Sequence, residues 1–271
     1  MKEKLNSYKT YLLNIHRSLV YFNYLRPFFE YLSKNNIDFY KITKDQLANY
    51  FTVKKYSPNA INNIIKSCRD FCRYEKITEH ACFEIKLLEV MQKARQYITY
   101  EELLKGIKYY ATYSKKGMNS NKCSVILKFC FFTSIRKSEL FTLKRDKIDL
   151  TNCSALVLGI KDKAERLVYF PNSFVKELVD YFNSEPEEKN NAFNITPTEF
   201  NYLIIKVGKY LNKENISPHT LRHSGAKYMV KYNISPVTMQ RIMGHNSLNT
   251  TLIYCAIDDK QAEENYHNQI K

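Results

Sequence analysis

Val157-Leu158-Gly159-Ile160-Lys161-Asp162-Lys163-Ala164-Glu165-Arg166-Leu167-Val168-Tyr169-Phe170 decides the fold class of this chain. Two β-prone runs, 157–160 and 166–170, flank a short polar turn, which predicts an antiparallel hairpin. Little else resembles a strand. Only 6 Gly and 7 Pro punctuate 271 residues, and helical apolar spacing runs through most of the remainder. The expected architecture is mainly α in two domains, an N-terminal helical bundle and a C-terminal α+β domain with a small antiparallel sheet.

Upstream, apolar residues recur at Tyr11, Leu12, Ile15, Leu19, Phe22, Leu25, Phe29 and Leu32, predicting a helix from 7 to 32 with Pro27 as the place for a kink or break. Thr43 can cap a short helix carrying Leu47, Tyr50 and Phe51. Ser57-Pro58 offers a cap followed by proline at the first helical position. The helix it starts buries Ile61, Ile64, Ile65, Cys68 and Phe71. Its other face shows Asn59, Asn62, Lys66, Arg69 and Arg73, either a solvated stripe or a phosphate-contacting one. Thr99 and Glu102 form a capping-box pattern. The expected domains are 1–90 and 99–271, joined by a linker at 91–98. Around the hairpin, helices are expected near 101–111, 120–133, 138–143, 173–183, 198–211, 218–232 and 236–243.

Lys and Arg total 42 against 27 Asp and Glu, a formal charge of +15 spread along the chain. Such an excess suits a polyanionic partner, although a lysine-rich proteome would also produce it. The seven cysteines (68, 72, 82, 123, 130, 153 and 255) show no CxxC pair and no metal-ligand spacing with histidine. No metal site is expected, and an odd count without a framework fits a reducing compartment. No run of 18 apolar residues occurs, so no membrane partner is expected and the location is taken as cytoplasmic and nucleoid-associated.

Three polar clusters follow one another. Arg136 stands at a turn after the apolar run 125–132, with Glu139 placed either to orient it or to form a plain salt bridge. His219 and Arg222 are neighbours near the start of the helix opened by Ser217-Pro218, where amides and dipole favour an anion. An arginine fork matches phosphate oxygens, and an imidazole transfers protons near neutral pH. Gly244 can end a helix in a left-handed turn, projecting His245. Tyr254 follows; with 22 tyrosines in the chain, its standing rests on order and spacing.

The segments TSIRKSEL (133–140), IKDKAERLVYFP (160–171), SPHTLRH (217–223) and MGHNSLNTTLIY (243–254) resemble, in order and separation, the tyrosine recombinases, the phage-integrase and Xer family. The resemblance covers most of 97–257 and extends loosely to the N-terminal helices, which look like that family's SAM-like core-binding domain. It implies a site-specific recombinase or integrase that cuts and rejoins double-stranded DNA through a 3′-phosphotyrosine, with neither cofactor nor ATP nor metal. Carried over by position, Arg136 and Arg222 clamp the phosphate with His245, Lys161 protonates the leaving oxygen, His219 is the base and Tyr254 the nucleophile. Glu139 and His223 support them, and Lys66, Arg69 and Arg73 are the candidate DNA contacts. Ser134 stands where the family usually has glycine, Asp162 replaces a common turn glycine, and Lys163 competes with Lys161 for the acid role. Family members work as tetramers, so Ala262, Tyr266 and Ile270 are expected on a tail helix that packs on a neighbouring protomer or caps its own. The competing expectations are a type IB topoisomerase-like enzyme, a catalytically inactive DNA-binding or architectural protein, and a metal-dependent nuclease.

Overall fold

The computed structural model describes residues 2–15, 17, 19–90, 96–113, 119–159, 164–185, 188–189, 191–213 and 216–255. The chain divides into two compact units, Met1–Lys93 and Ala94–Lys271.

The first unit is helical: α1 (Lys2–Asn14), α2 (Val20–Lys34), α3 (Lys44–Val53), α4 (Pro58–Tyr74) and the one-turn α5 (Ala81–Glu84). Tyr8, Leu12, Leu25, Phe28, Phe39, Tyr50, Ile64 and Phe71 share one buried cluster. Fully burying such side chains contributes about 1.5–3 kcal/mol each. The single helix expected over 7–32 is two. The first ends at Asn14 and the second starts at Val20, because the stripes Leu5-Tyr8-Leu12 and Leu25-Phe29-Leu32 both face this cluster, and Pro27 sits inside α2. The predicted caps formed: Thr43 and Gln46 close a capping box on α3, and the Ser57 hydroxyl accepts from Ala60 N–H.

On α4 the polar stripe is divided. Asn62 exchanges two hydrogen bonds of 2.8 Å with the backbone of Leu88. Arg69 donates to the carbonyls of Cys82 (2.8 Å) and Ile85 (2.5 Å). The chain leaving α5 has carbonyls without helical partners, and these side chains, seven residues apart on one face, satisfy them. Arg69 is therefore a clasp within this unit rather than an outward-facing DNA contact, whereas Lys66 and Arg73 are exposed.

The second unit contains α6 (Tyr100–Tyr113), α7 (Ser120–Thr133), α8 (Lys137–Leu140), β1 (Ile148–Asp149), β2 (Ser154–Leu158), β3 (Glu165–Tyr169), α9 (Val175–Ser184), α10 (Pro197–Tyr210), α11 (Pro218–Lys231), α12 (Pro236–Met243) and α13 (Asn249–Cys255). Val125, Ile126, Leu127, Phe129, Cys130 and Phe131 are all buried, so α7 is apolar around its circumference and forms the centre of the unit. The expected hairpin is β2–β3, with Leu156 opposite Leu167 and Val157 opposite Arg166. The two-residue β1, not anticipated, pairs antiparallel to β2 and completes a three-stranded sheet. At Gly225 an added Cβ would collide with the Phe131 carbonyl and Ser134 Oγ, which is why α11 can press against the end of α7.

Candidate active site

α7 ends in a residue with a left-handed backbone, Ser134 (φ 49°). An L-residue there costs about 1–2 kcal/mol. The turn a glycine would make is kept nonetheless, and it leads into Arg136 at the N-cap of α8. Glu139, 1% exposed, accepts from the Arg136 backbone N–H (2.8 Å) and from Arg136 Nη1 (2.9 Å). It also receives both terminal nitrogens of Arg166, at 2.6 and 2.7 Å. Burial alone would push this carboxyl up; the Arg166 bonds, with help from Arg136, hold it below the ordinary carboxylate range.

Three arginines then meet three consecutive carbonyls at the end of α12. Arg166 Nε donates to Ile242 O (2.8 Å), Arg222 Nη2 to Met243 O (2.6 Å) and Arg136 Nη2 to Gly244 O. Arg222 Nη1 also donates to Ser134 O at 2.5 Å. The C-terminal carbonyls of a helix carry partial negative charge and lack intrahelical partners, so cations satisfy them. Gly244 (φ 62°) closes α12 in the left-handed turn expected of it. Arg222 is buried, and burial followed by the charges of Arg136 and Arg166 lowers its pKa to about 10. It stays cationic at neutral pH. Glu139, bonded to Arg136 and Arg166, is the one carboxylate paired with this cluster among the described residues, while Arg222 donates to carbonyls alone, so the cluster is short of negative charge.

His245 projects beyond Gly244, and its Nδ1 lies 2.8 Å from the buried Thr251 hydroxyl. Burial, then Arg222, Arg136 and Arg166, lower its pKa to about 4, so it is neutral near pH 7. A hydroxyl donating to Nδ1 would leave the proton on Nε2. A cleft of about 360 Å³ is lined by Arg136, Arg166, Gly244 and His245.

Tyr254, 4% exposed on α13, places its phenol oxygen 2.5 Å from His223 Nδ1. Its ring lies nearly parallel to His245 at a centroid distance of 6.3 Å. Lys227 Nζ bonds the Tyr254 carbonyl at 2.8 Å. His219, in the first turn of α11, is exposed, with its ring 6.4 Å from that of His223. The histidine hydrogen-bonded to the phenol is thus His223, which the sequence placed in a supporting position, and not His219. Both lie on one face of α11 four residues apart, and α13 packs over the second. Lys161, Asp162 and Lys163 lie outside the described residues.

The fold therefore gathers Arg136, Glu139, Arg222, His223, His245 and Tyr254, and adds Arg166, which sequence reasoning treated only as a strand residue. A signal was available: Arg166 alternates with Val168 and Phe170, so it shares their inward face and needs a buried carboxylate.

A helical domain with a small edge sheet, in which arginines from a turn, a strand and a helix surround the approach to a histidine-bonded tyrosine, is the catalytic domain of a tyrosine recombinase. Residues 96–261 match the phage integrase family, and the chain belongs to that family. It is 26% identical to a tyrosine recombinase XerC of Staphylococcus saprophyticus, over 98% of this chain and 97% of the relative. It is 25% identical to a tyrosine recombinase XerA of Thermococcus kodakarensis, over 74% of this chain and 72% of the relative. Among solved structures, the fold is shared with XerH site-specific recombinase bound to its palindromic difH substrate in a post-cleavage complex (TM-score 0.71, 22% identity, 91% and 78% coverage). It is also shared with a lambda integrase dimer bound to a core site (TM-score 0.71, 15% identity, 94% and 95% coverage).

Proposed function

We propose that the chain cleaves and rejoins double-stranded DNA at a specific site through a 3′-phosphotyrosine at Tyr254. The observation that supports this best is the convergence of Arg136, Arg166 and Arg222 on carbonyls 242–244 beside His245, with one carboxylate between them. Such a concentration of donors suits a phosphodiester whose non-bridging oxygens gain charge in the transition state. Arg136, Arg222 and neutral His245 hold those oxygens. A phenol of ordinary pKa ~10 needs a proton acceptor, and His223, already bonded to it, takes that role before His219. Lys161 protonates the departing 5′-oxygen, with Lys163 the alternative. One phosphodiester replaces another of similar energy, so the exchange is reversible and needs neither ATP nor a catalytic metal. The first unit acts as the core-binding domain, with Lys66 and Arg73 contacting DNA. The active form is a homotetramer joined through the C-terminal tail, which lies outside the described residues, and it works in the cytoplasm on the nucleoid.

The decisive experiment incubates the protein with labelled, nicked genomic fragments in magnesium-free buffer. A covalent adduct stable to detergent is expected. Tyr254→Phe should abolish it, by about 10³-fold or more given the loss of the nucleophilic oxygen, while leaving the band shift intact. An adduct formed by that variant would refute the assignment; binding without any adduct in the wild type would favour an architectural role.

A further inference from the structure

The first unit contains a group that the recombination chemistry does not use. Cys72 lies in the last turns of α4, His80 is the residue that caps α5, and Cys82 lies within α5; all are buried. Their ligand atoms are all within 4.8 Å of one another, although the intervals in sequence suggested no ligand set. We propose that Cys72, His80 and Cys82 bind a zinc(II) ion that staples α4 to the chain following it.

Geometry supports this first. The two sulfurs are 3.9 Å apart. Two thiolates each about 2.3 Å from a tetrahedral zinc lie roughly 3.8 Å apart, so little movement is needed to admit the ion. His80 Nε2 is 2.8 Å from the Phe39 carbonyl. A carbonyl can only accept, so Nε2 carries the proton and Nδ1 keeps a lone pair. An outer backbone carbonyl fixing the imidazole in this way is the usual partner of a metal-bound histidine. In the present arrangement Nδ1 accepts from Cys82 N–H at 3.1 Å, and zinc would take that lone pair in exchange.

Charge supports it next. Two thiolates and a divalent ion sum to zero, so the filled site carries no net charge into the core. Cys68, buried one turn earlier on α4, is the nearest sulfur along that helix for a fourth ligand.

The test uses the full chain purified without chelator. About one zinc per chain is expected by mass spectrometry of the metal, in line with a closed structural site. Cobalt(II) exchanged into it should show a thiolate-to-cobalt charge-transfer band. Cys72→Ser and Cys82→Ser should each weaken zinc binding by about a hundredfold or more, His80→Cys should retain it, and Cys255→Ser should leave it unchanged. Because the serine variants can fail to fold, wild-type protein is also alkylated with and without zinc; slower modification of Cys72 and Cys82 with zinc is expected. Sub-stoichiometric zinc at micromolar free metal would overturn the site. So would cobalt without the charge-transfer band, or a Cys72–Cys82 disulfide forming as fast with zinc as without it.

Discussion

The arginine cluster and the tyrosine segment face each other but are held in different ways. Arg136, Arg166 and Arg222 spring from α8, β3 and α11, elements packed on the main core around α7. Tyr254 belongs to a small separate cluster with Ala226, Met229, Met239, Ile242 and Met243. Its α12 and α13 members are tied to the arginines by packing on α11, which carries Arg222, Ala226 and Met229, and through the carbonyls of 242–244. Hydrogen bonds to charged donors contribute about 1.5–3 kcal/mol each, so the three bonds are comparable with what the small apolar cluster supplies. The cations that hold the Tyr254 segment are thus the ones that, on the proposed function, a phosphate would recruit. We expect phosphate binding and the docking of α12–α13 to be coupled.

The sharpest break in this comparison is Arg222→Ala. It removes a proposed transition-state donor and the bonds to the carbonyls of Ser134 and Met243. We expect a rate loss of about 10²–10³-fold, together with faster hydrogen exchange in 249–255. Loss of rate with unchanged exchange would separate the two halves. His223→Ala against His219→Ala comes next: the first should lower single-turnover cleavage by about 10²-fold, and the second by less. The reverse order would return the base to His219. Gly225→Ala tests the seating of α11, which both sides share, since its methyl would drive α11 from the end of α7; a stability loss of about 1–3 kcal/mol in denaturant melts is expected. Unchanged stability would show that the close approach carries no strain.

The smallest effect concerns His245. Its pKa in the fold is near 4, below its ordinary value, so the folded state favours the neutral ring. That contribution is complete above the unfolded value of about 6.5 and is lost as pH falls towards 4, because the unfolded chain takes up the proton first. Denaturant melts between pH 7 and 4.5 should lose stability more steeply for wild type than for His245→Gln. Parallel curves would show that the ring is not shielded as described.

Much of this was legible along the chain. The caps at Thr43, Ser57, Thr99 and Ser217 are local hydrogen-bond patterns, and they formed where spacing placed them. The hairpin followed from two β-prone runs around a polar turn, and its register came from the structure. What local pattern could not supply was direction. Pro27 invited a break, but it sits inside α2, and the shared core separates α1 from α2 between Asn14 and Val20. Arg69 belonged to a basic stripe until the carbonyls of 82 and 85 claimed it.

The order of polar residues fixed the chemistry, since arginine, histidine and tyrosine keep their donors, acceptors and nucleophile wherever they stand. Which imidazole touches the phenol, which strand arginine braces Glu139 and which cysteines lie beside His80 were settled only by folding. The first two join side chains 31 and 27 residues apart and the third joins α4 to the chain around α5, all brought together by buried packing that no local spacing encodes.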